Sequence, residues 1–306
     1  MAENFIKPQN AVRRAADIKT IIPAFNIPYL PMAKPVIRAI RDEDGIAMVQ
    51  VARLEWEKFE AGSPEAVAEE YFKYRDPERT LLHLDHVPVI DEDGILVDYA
   101  EIIKRALNAG YQSVMVDASR LPLDDNIRVT AAVAETAHAA GAAVEAELGA
   151  VAGHEGDGVT DYEALFASKS GFTNAEEARR FVRETGCDWL SVAAGSIHGA
   201  IAAATRKMKK PEARLDVDHI AALYKATGGT PLVLHGGSGI RREYILGAVK
   251  NGIAKINIGT EIRQAYEFAL DEKPGDIEYA REKVYERTRW VIRDFLGVSG
   301  NRRRLA

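Results

Sequence analysis

Eight short apolar runs recur along this chain, at 21–27, 46–51, 80–87, 113–118, 143–149, 189–195, 231–236 and 254–259. Their length and apolar content predict strands covered on both faces. Between them the apolar positions return with helical spacing, over 97–110, 124–141, 174–186, 216–227 and 241–252. Four of those stretches close on a glycine, the residue that lets a helix end turn back sharply. Ser63 followed by Pro64 predicts a capped helix start with proline in its first turn, and Thr173 followed by Glu176 predicts a capping box. Strand and helix alternating eight times predict an α/β fold with a parallel sheet, and the spacing favours closure into a (β/α)8 barrel, the TIM barrel. No linker interrupts the series. Residues 1–306 are therefore expected to form one domain, with extra polar helices from Asp276 onward packed outside the barrel or against another subunit.

The run 80–87 reads TLLHLDHV, and its two histidines and aspartate would cost free energy in a core unless a metal or a charge partner satisfied them. At the carboxyl end of a barrel strand, where barrel enzymes carry their chemistry, His86 could reach a metal and Asp85 could move protons beside it. The plainer alternative is a satisfied core histidine next to a solvated acid. Other strand ends bear on the choice. Asp117 and Ser119 lie at the fourth, Glu145 and Glu147 at the fifth, His198 at the sixth, His235 at the seventh, and Asn257 and Thr260 at the eighth. His86, His198 and His235 converging with a carboxylate would supply what a catalytic Zn2+ or similar divalent ion needs. Of the remaining histidines, His138 and His219 fall on helices, His154 follows the fifth strand, and His83 is expected to pack near the metal strand.

Glycines follow two of these histidines, in Ser196-Ile197-His198-Gly199 and His235-Gly236-Gly237-Ser238-Gly239. Backbone N–H groups in such strand-to-helix turns approach an anion closely, and the next helix N-terminus adds favourable potential. Beside Asn257 and Thr260, the two loops point to a phosphate rather than to turn geometry alone. Gly153, Gly156 and Gly158, between the fifth strand and Thr173, suggest a lid over the strand ends. The insert 200–214 carries Arg206, Lys207, Lys209, Lys210 and Arg214, a charge run of the kind that forms a solvated face.

Composition narrows the setting. A chain of 306 residues, 47% hydrophobic and 28% charged, is ordinary globular material that one barrel would use almost entirely. The net charge of -6 argues against a general nucleic-acid binder. The single cysteine, Cys187, excludes an internal disulfide framework and fits a reducing compartment. The opening MAENFIKPQN lacks an apolar signal core, and no stretch approaches the roughly 18 apolar residues a membrane helix needs. The expectation is a soluble, cytoplasmic protein with no membrane or nucleic-acid partner.

LHLDH at 82–86, SVMVDAS at 113–119, VEAELG at 144–149, GSIHG at 195–199, LHGGSG at 234–239 and KINIGTE at 255–261 resemble the class II, zinc-dependent ketose-bisphosphate aldolases, fructose- and tagatose-bisphosphate aldolases among them. The resemblance runs from PAFNI at 23–27 to LGVSG at 296–300. It implies reversible cleavage of a phosphorylated ketose to dihydroxyacetone phosphate and an aldehyde. It also implies one Zn2+ per subunit, a possible monovalent cation, and a homodimer or homotetramer in contact through the C-terminal helices. Residues matching the metal ligands are His86, His198 and His235, with Glu147 an additional or alternative ligand and Asp117 near an alternative metal position. Asp85 matches the catalytic acid/base, and Glu155 in the lid matches the residue that exchanges the C3 proton. Gly199, Gly236, Ser238, Asn257 and Thr260 match the groups that bind the C1 phosphate and the triose. The chemistry agrees, because breaking the C3–C4 bond leaves a carbanion that a Lewis acid at the C2 oxygen would spread into an enediolate.

Several positions depart from the family pattern, which usually has serine at Ala52, glycine at Val87, histidine at Arg120, and alanine or aspartate at Gly259. The stretch after Gly199 is also longer and lacks the customary aromatic. These departures leave the implied ligands in place, so the metal and triose-phosphate half is expected to be kept and the aldehyde half changed. Arg53, Glu55, Arg120 and the basic insert are the candidates for reading a different distal group. Three alternatives remain open: a Schiff-base aldolase using Lys255, a metal-dependent sugar-phosphate isomerase or epimerase, and a non-catalytic metabolite-binding pseudo-aldolase.

Overall fold

A computed structural model describes residues 6–149, 162–196, 213–237 and 239–305. Eight parallel strands form a closed barrel in chain order. They are β1 Ile22–Asn26, β2 Ala47–Ala52, β3 Thr80–Pro88, β4 Ser113–Asp117, β5 Ala143–Leu148, β6 Trp189–Val192, β7 Leu232–Leu234 and β8 Ile253–Ile258, each overlapping one of the expected runs. The helices are α1 Pro8–Asp17, α2 Ala33–Asp42, α3 Arg53–Glu57, α4 Pro64–Tyr74, α5 Tyr99–Asn108, α6 Leu123–Ala139, α7 Tyr162–Ser168, α8 Ala175–Thr185, α9 Val217–Ala226, α10 Arg242–Lys250, α11 Thr260–Glu272, α12 Ile277–Trp290 and α13 Arg302–Leu305. The (β/α)8 expectation holds. No helix among the described residues is long and apolar enough to cross a membrane.

Alternation along the strands divides the buried side chains between two cores. In β3, Leu82 and Leu84 face the helices, while Leu81, His83 and Asp85 turn into the barrel. Leu81, Met48, Trp189 and Val233 form an apolar floor together with Val12 and Ala15 of α1 and Leu305 of α13. Burying an aliphatic side chain of this size contributes about 1.5–3 kcal/mol relative to exposure, so the amino end of the barrel is sealed by α1. Polar side chains collect above the floor, toward the strands' carboxyl ends. Outside, α12 packs on α2 and α11, where the extra C-terminal helices were expected.

The helix signals hold in part. Ser63 accepts a hydrogen bond from Ala66 N at 3.2 Å, with Pro64 opening α4. Gly186, at φ 69, ends α8 in the left-handed region. The capping box at Thr173 and Glu176 is misplaced by one residue. Asn174 caps α8 instead, accepting from Glu176 N at 2.9 Å and Glu177 N at 3.1 Å. Thr173 is buried, and its hydroxyl donates to Leu148 O at 2.5 Å and accepts from Ala193 N at 2.9 Å, joining the ends of β5 and β6. Either side chain can cap a helix, but only the threonine is placed to satisfy those two strand-end groups.

Thr173→Val keeps the shape and removes that bridge, so it should lower unfolding free energy by about 1–3 kcal/mol in urea titrations, against about 1 kcal/mol for Asn174→Ala. Unchanged stability in Thr173→Val would contradict the bridging role.

Candidate active site

The site begins with an irregularity in β3. Leu84 pairs with Val114 and Val87 with Val116, so β3 carries one residue more than β4 across this interval. In a regular strand the neighbours Asp85 and His86 would face opposite sides. The bulge breaks that alternation. Leu84 and Val87 both stay in the outer core, while Asp85 turns inward and His86 stands at the mouth, its side chain 13% exposed.

Asp85 is bound by three side-chain amides. Asn257 Nδ2 donates to Oδ1 at 2.9 Å, while Asn26 Nδ2 at 2.9 Å and Gln50 Nε2 at 3.1 Å donate to Oδ2. Burial alone would raise its pKa, but the positive charges of His86, Lys255 and His235 outweigh burial and hold it at about 2. Asp85 is therefore a carboxylate at neutral pH, able to accept a proton.

His86 Nδ1 lies 3.3 Å from Asp117 Oδ2 and 3.9 Å from Glu147 Oε2, and its ring centroid is 4.4 Å from that of His235. Burial works against protonating this imidazole. The carboxylates of Asp85, Asp117 and Glu147 prevail, raising its pKa to about 10. Such a cluster favours positive charge, and a divalent ion could supply it in place of protons. Ligand atoms of Asp85, His86 and His235 lie within 4.8 Å of one another, as do those of His86, Asp117 and Glu147. Imidazole nitrogens and carboxylate oxygens so arranged fit Zn2+ or a similar ion. His83, Asp85 and Glu145 meet the same distance test, but Lys255 Nζ, 2.9 Å from Glu145 Oε2, already brings a cation there.

Deeper in the barrel, Glu145 accepts hydrogen bonds from His235 Nε2 at 2.7 Å and Trp189 Nε1 at 2.6 Å, beside Lys255. Burial opposes its ionisation, but Lys255 and His235 keep its pKa well below the usual carboxylate range. His235 shows a similar contest, in which Glu145 and Glu147 outweigh burial and His86 and raise its pKa. His83 packs in this layer, its Nδ1 2.8 Å from Ser113 Oγ, and burial followed by Lys255 pushes its pKa down to about 3. The helix-borne histidines have structural partners: His138 Nε2 is 2.9 Å from Asp188 Oδ2 and His219 Nε2 is 2.8 Å from Thr173 O.

The other sequence candidates divide by position. Asn257 ends β8, Thr260 opens α11, and Gly236 follows β7 at φ 70. At Gly237 an added Cβ would lie 2.6 Å from Ile256, so that turn needs glycine for close approach. His198, Gly199, Glu155, Ser238, the lid glycines and the insert up to 212 lie outside the described residues. Arg214, at the end of the insert, lies 2.5 Å from Glu163 Oε2. Arg53 and Arg120 meet at Asp91, the first through its carboxylate at 3.3 Å and the second through its backbone oxygen at 2.7 Å. Glu55 lies in α3, directly after β2. Its buried carboxyl accepts from Ala52 N at 2.8 Å and Asn26 Nδ2 at 3.3 Å, and burial raises its pKa to about 8. Asn26 and Gln50 were missed by sequence reasoning, although each is a lone amide interrupting an apolar run with inward parity.

Comparison with known proteins places this geometry. The family described as fructose-bisphosphate aldolase class-II matches residues 7–300. A fructose-bisphosphate aldolase of Streptococcus pneumoniae is 37% identical over 210 residues, 67% of this chain and 62% of that protein, so the match takes in less than two thirds of the relative's length. One from Streptococcus pyogenes is 35% identical over 226 residues, covering 72% of this chain and 67% of that one. The crystal structure of the YdjI aldolase from Escherichia coli K12 superposes with a TM-score of 0.74 at 27% identity, over 95% of this chain and 97% of that one. With a family match from one end of the barrel to the other, this chain belongs to the class II fructose-bisphosphate aldolase family.

Proposed function

We propose that the protein is a metal-dependent aldolase that reversibly cleaves a ketose 1-phosphate or ketose bisphosphate to dihydroxyacetone phosphate and an aldehyde. The observation that carries this reading is the clustering of the Asp85 carboxyl with the His86 and His235 imidazoles toward the carboxyl end of the barrel, their ligand atoms within 4.8 Å. His86 and His235, with His198 by family resemblance, would hold the metal, and Glu147 and Asp117 would offer an additional or alternative position. When bound, a divalent ion, zinc by family expectation, supplies Lewis-acid polarisation of the substrate carbonyl.

The chain's own residues account for the proton movements. Cleavage of C3–C4 turns the C4 hydroxyl into a carbonyl, so its proton needs an acceptor, and Asp85 is ionised and able to take it. In condensation the same group returns the proton. The three amides on Asp85 leave its oxygens little freedom, which favours one fixed geometry for transfer. Glu155 is assigned the C3 proton by resemblance alone. Gly236, Asn257 and Thr260, with Gly199 and Ser238, would hold the triose and its phosphate, Thr260 standing at the N-terminus of α11. Resemblance also suggests a cytoplasmic homodimer or homotetramer in contact through the C-terminal helices.

Treatment with a chelator should abolish cleavage, and added Zn2+ should restore it. Asp85→Asn should lower kcat by about 10²–10⁴-fold, and His235→Ala should lose bound metal, measured by elemental analysis. Cleavage that survives complete demetallation would overturn the reading.

The aldehyde half carries its own expectation. Arg53 and Arg120 both contact Asp91, so a distal anion would compete with that residue for them. Across a panel of phosphorylated ketoses, kcat/KM should be higher for a ketose 1-phosphate with another distal group than for fructose 1,6-bisphosphate. Full activity on the bisphosphate, with no gain on any other sugar, would remove this proposal.

A further inference from the structure

Glu145 and Lys255 are both fully buried, on β5 and β8, and neither has a place in the proton transfers above. Desolvating an ion pair costs several kcal/mol per ion, and apolar residues of similar volume often do as well, so stability alone explains the pair poorly. Its hydrogen bonds run in one direction. A carboxylate can only accept. Glu145 Oε1, 2.7 Å from His235 Nε2, therefore assigns the ring proton to Nε2. The other ring nitrogen, Nδ1, lies 3.1 Å from Glu147 Oε2, on the side of the metal candidates, where a divalent ion would displace any proton that Nδ1 carries. Lys255 can only donate. It gives one hydrogen bond to Asn257 Oδ1 at 2.6 Å, in addition to pairing with Glu145. With its oxygen occupied, the Asn257 amide presents Nδ2 to Asp85 Oδ1 at 2.9 Å. Without Lys255, that amide could turn over and set oxygen against oxygen.

The geometry points to Glu145 and Lys255 as linked positioning residues: Glu145 keeps the His235 proton on Nε2 and leaves Nδ1 for a metal, and Lys255 ties that ring to the Asp85 carboxylate through Asn257. This rests on the proposed reading of His235 as a ligand and Asp85 as the acid/base. The two ideas fail differently. If the unaltered protein takes up no Zn2+, both fall; if zinc binds at His235 through the wrong nitrogen, only the positioning role falls.

The experiment uses the full chain, 15N-labelled and loaded with Zn2+. Its nitrogen spectrum should show His235 coordinated through Nδ1, with a slowly exchanging proton on Nε2, and this requires no variant to fold. Glu145→Gln and Lys255→Met should each lower zinc affinity, Glu145→Gln by about 10–100-fold, read by competition with a chromogenic chelator. Lys255→Met should also lower kcat more than it raises KM, because Asp85 loses its aligned donor. The double variant should bind zinc no more weakly than Glu145→Gln alone, as expected of residues acting as a unit. Zinc on Nε2, or unaltered zinc affinity in both single variants, would overturn the proposal.

Discussion

A buried carboxylate has to be given partners, and in this barrel Glu145 draws them from three neighbouring segments. Trp189 reaches it from β6, His235 from the end of β7, and Lys255 from β8. Below it the interior is apolar and closed by α1. Water can therefore approach this layer only from the mouth, and the polar groups must satisfy one another. That constraint fixes the orientation of each ring and amide in the layer. It also explains why the polar groups lie above the floor, since every polar group placed on it would have needed a partner of its own.

The same logic separates two kinds of acid near the mouth. Asp85 and Glu55 are both buried, Asp85 the more deeply, and both contact Asn26. Asp85 lies among His86, Lys255 and His235 and stays ionised. Glu55, for which burial is the largest influence, has its pKa raised to about 8. Charge environment rather than depth sets the difference, and it leaves one carboxylate ready to accept a proton beside another that can carry one. Glu55 occupies the part of the chain that departs from the family pattern at Ala52, which links the altered segment to Asp85 through Asn26.

Much of the fold could be read in advance because each apolar run is bounded by turn residues and doubly covered strands need continuous apolar sequence. Histidines and carboxylates at strand ends were visible for the same reason, as interruptions that a core would not tolerate unaided. The β3 bulge left no such trace. Nothing in LHLDH announces an extra residue, because the bulge is a property of how β3 and β4 pair. Thr173 and Asn174 are likewise equivalent as local signals, and only the ends of β5 and β6, brought together by the barrel, decide between them. Gln50 and Asn26 are legible by parity alone, since amides carry no charge to mark them.

Lys255 shows how far parity goes. Its spacing from Asn257 places it inside the barrel, where a lysine could serve as a Schiff-base nucleophile or as the partner of a buried acid. The first role requires an amine open to a substrate carbonyl. The second requires an acid within reach inside the barrel, and Glu145, on β5 three strands away through β7 and β6, is 2.9 Å from Nζ. Lys255 has no exposed surface, and its amine also bonds Asn257. To reach a carbonyl it would have to leave Glu145 with its charge uncompensated and release the amide that aligns Asp85. A nucleophilic lysine would thus dismantle the arrangement around it, whereas a fixed cation holds that arrangement together.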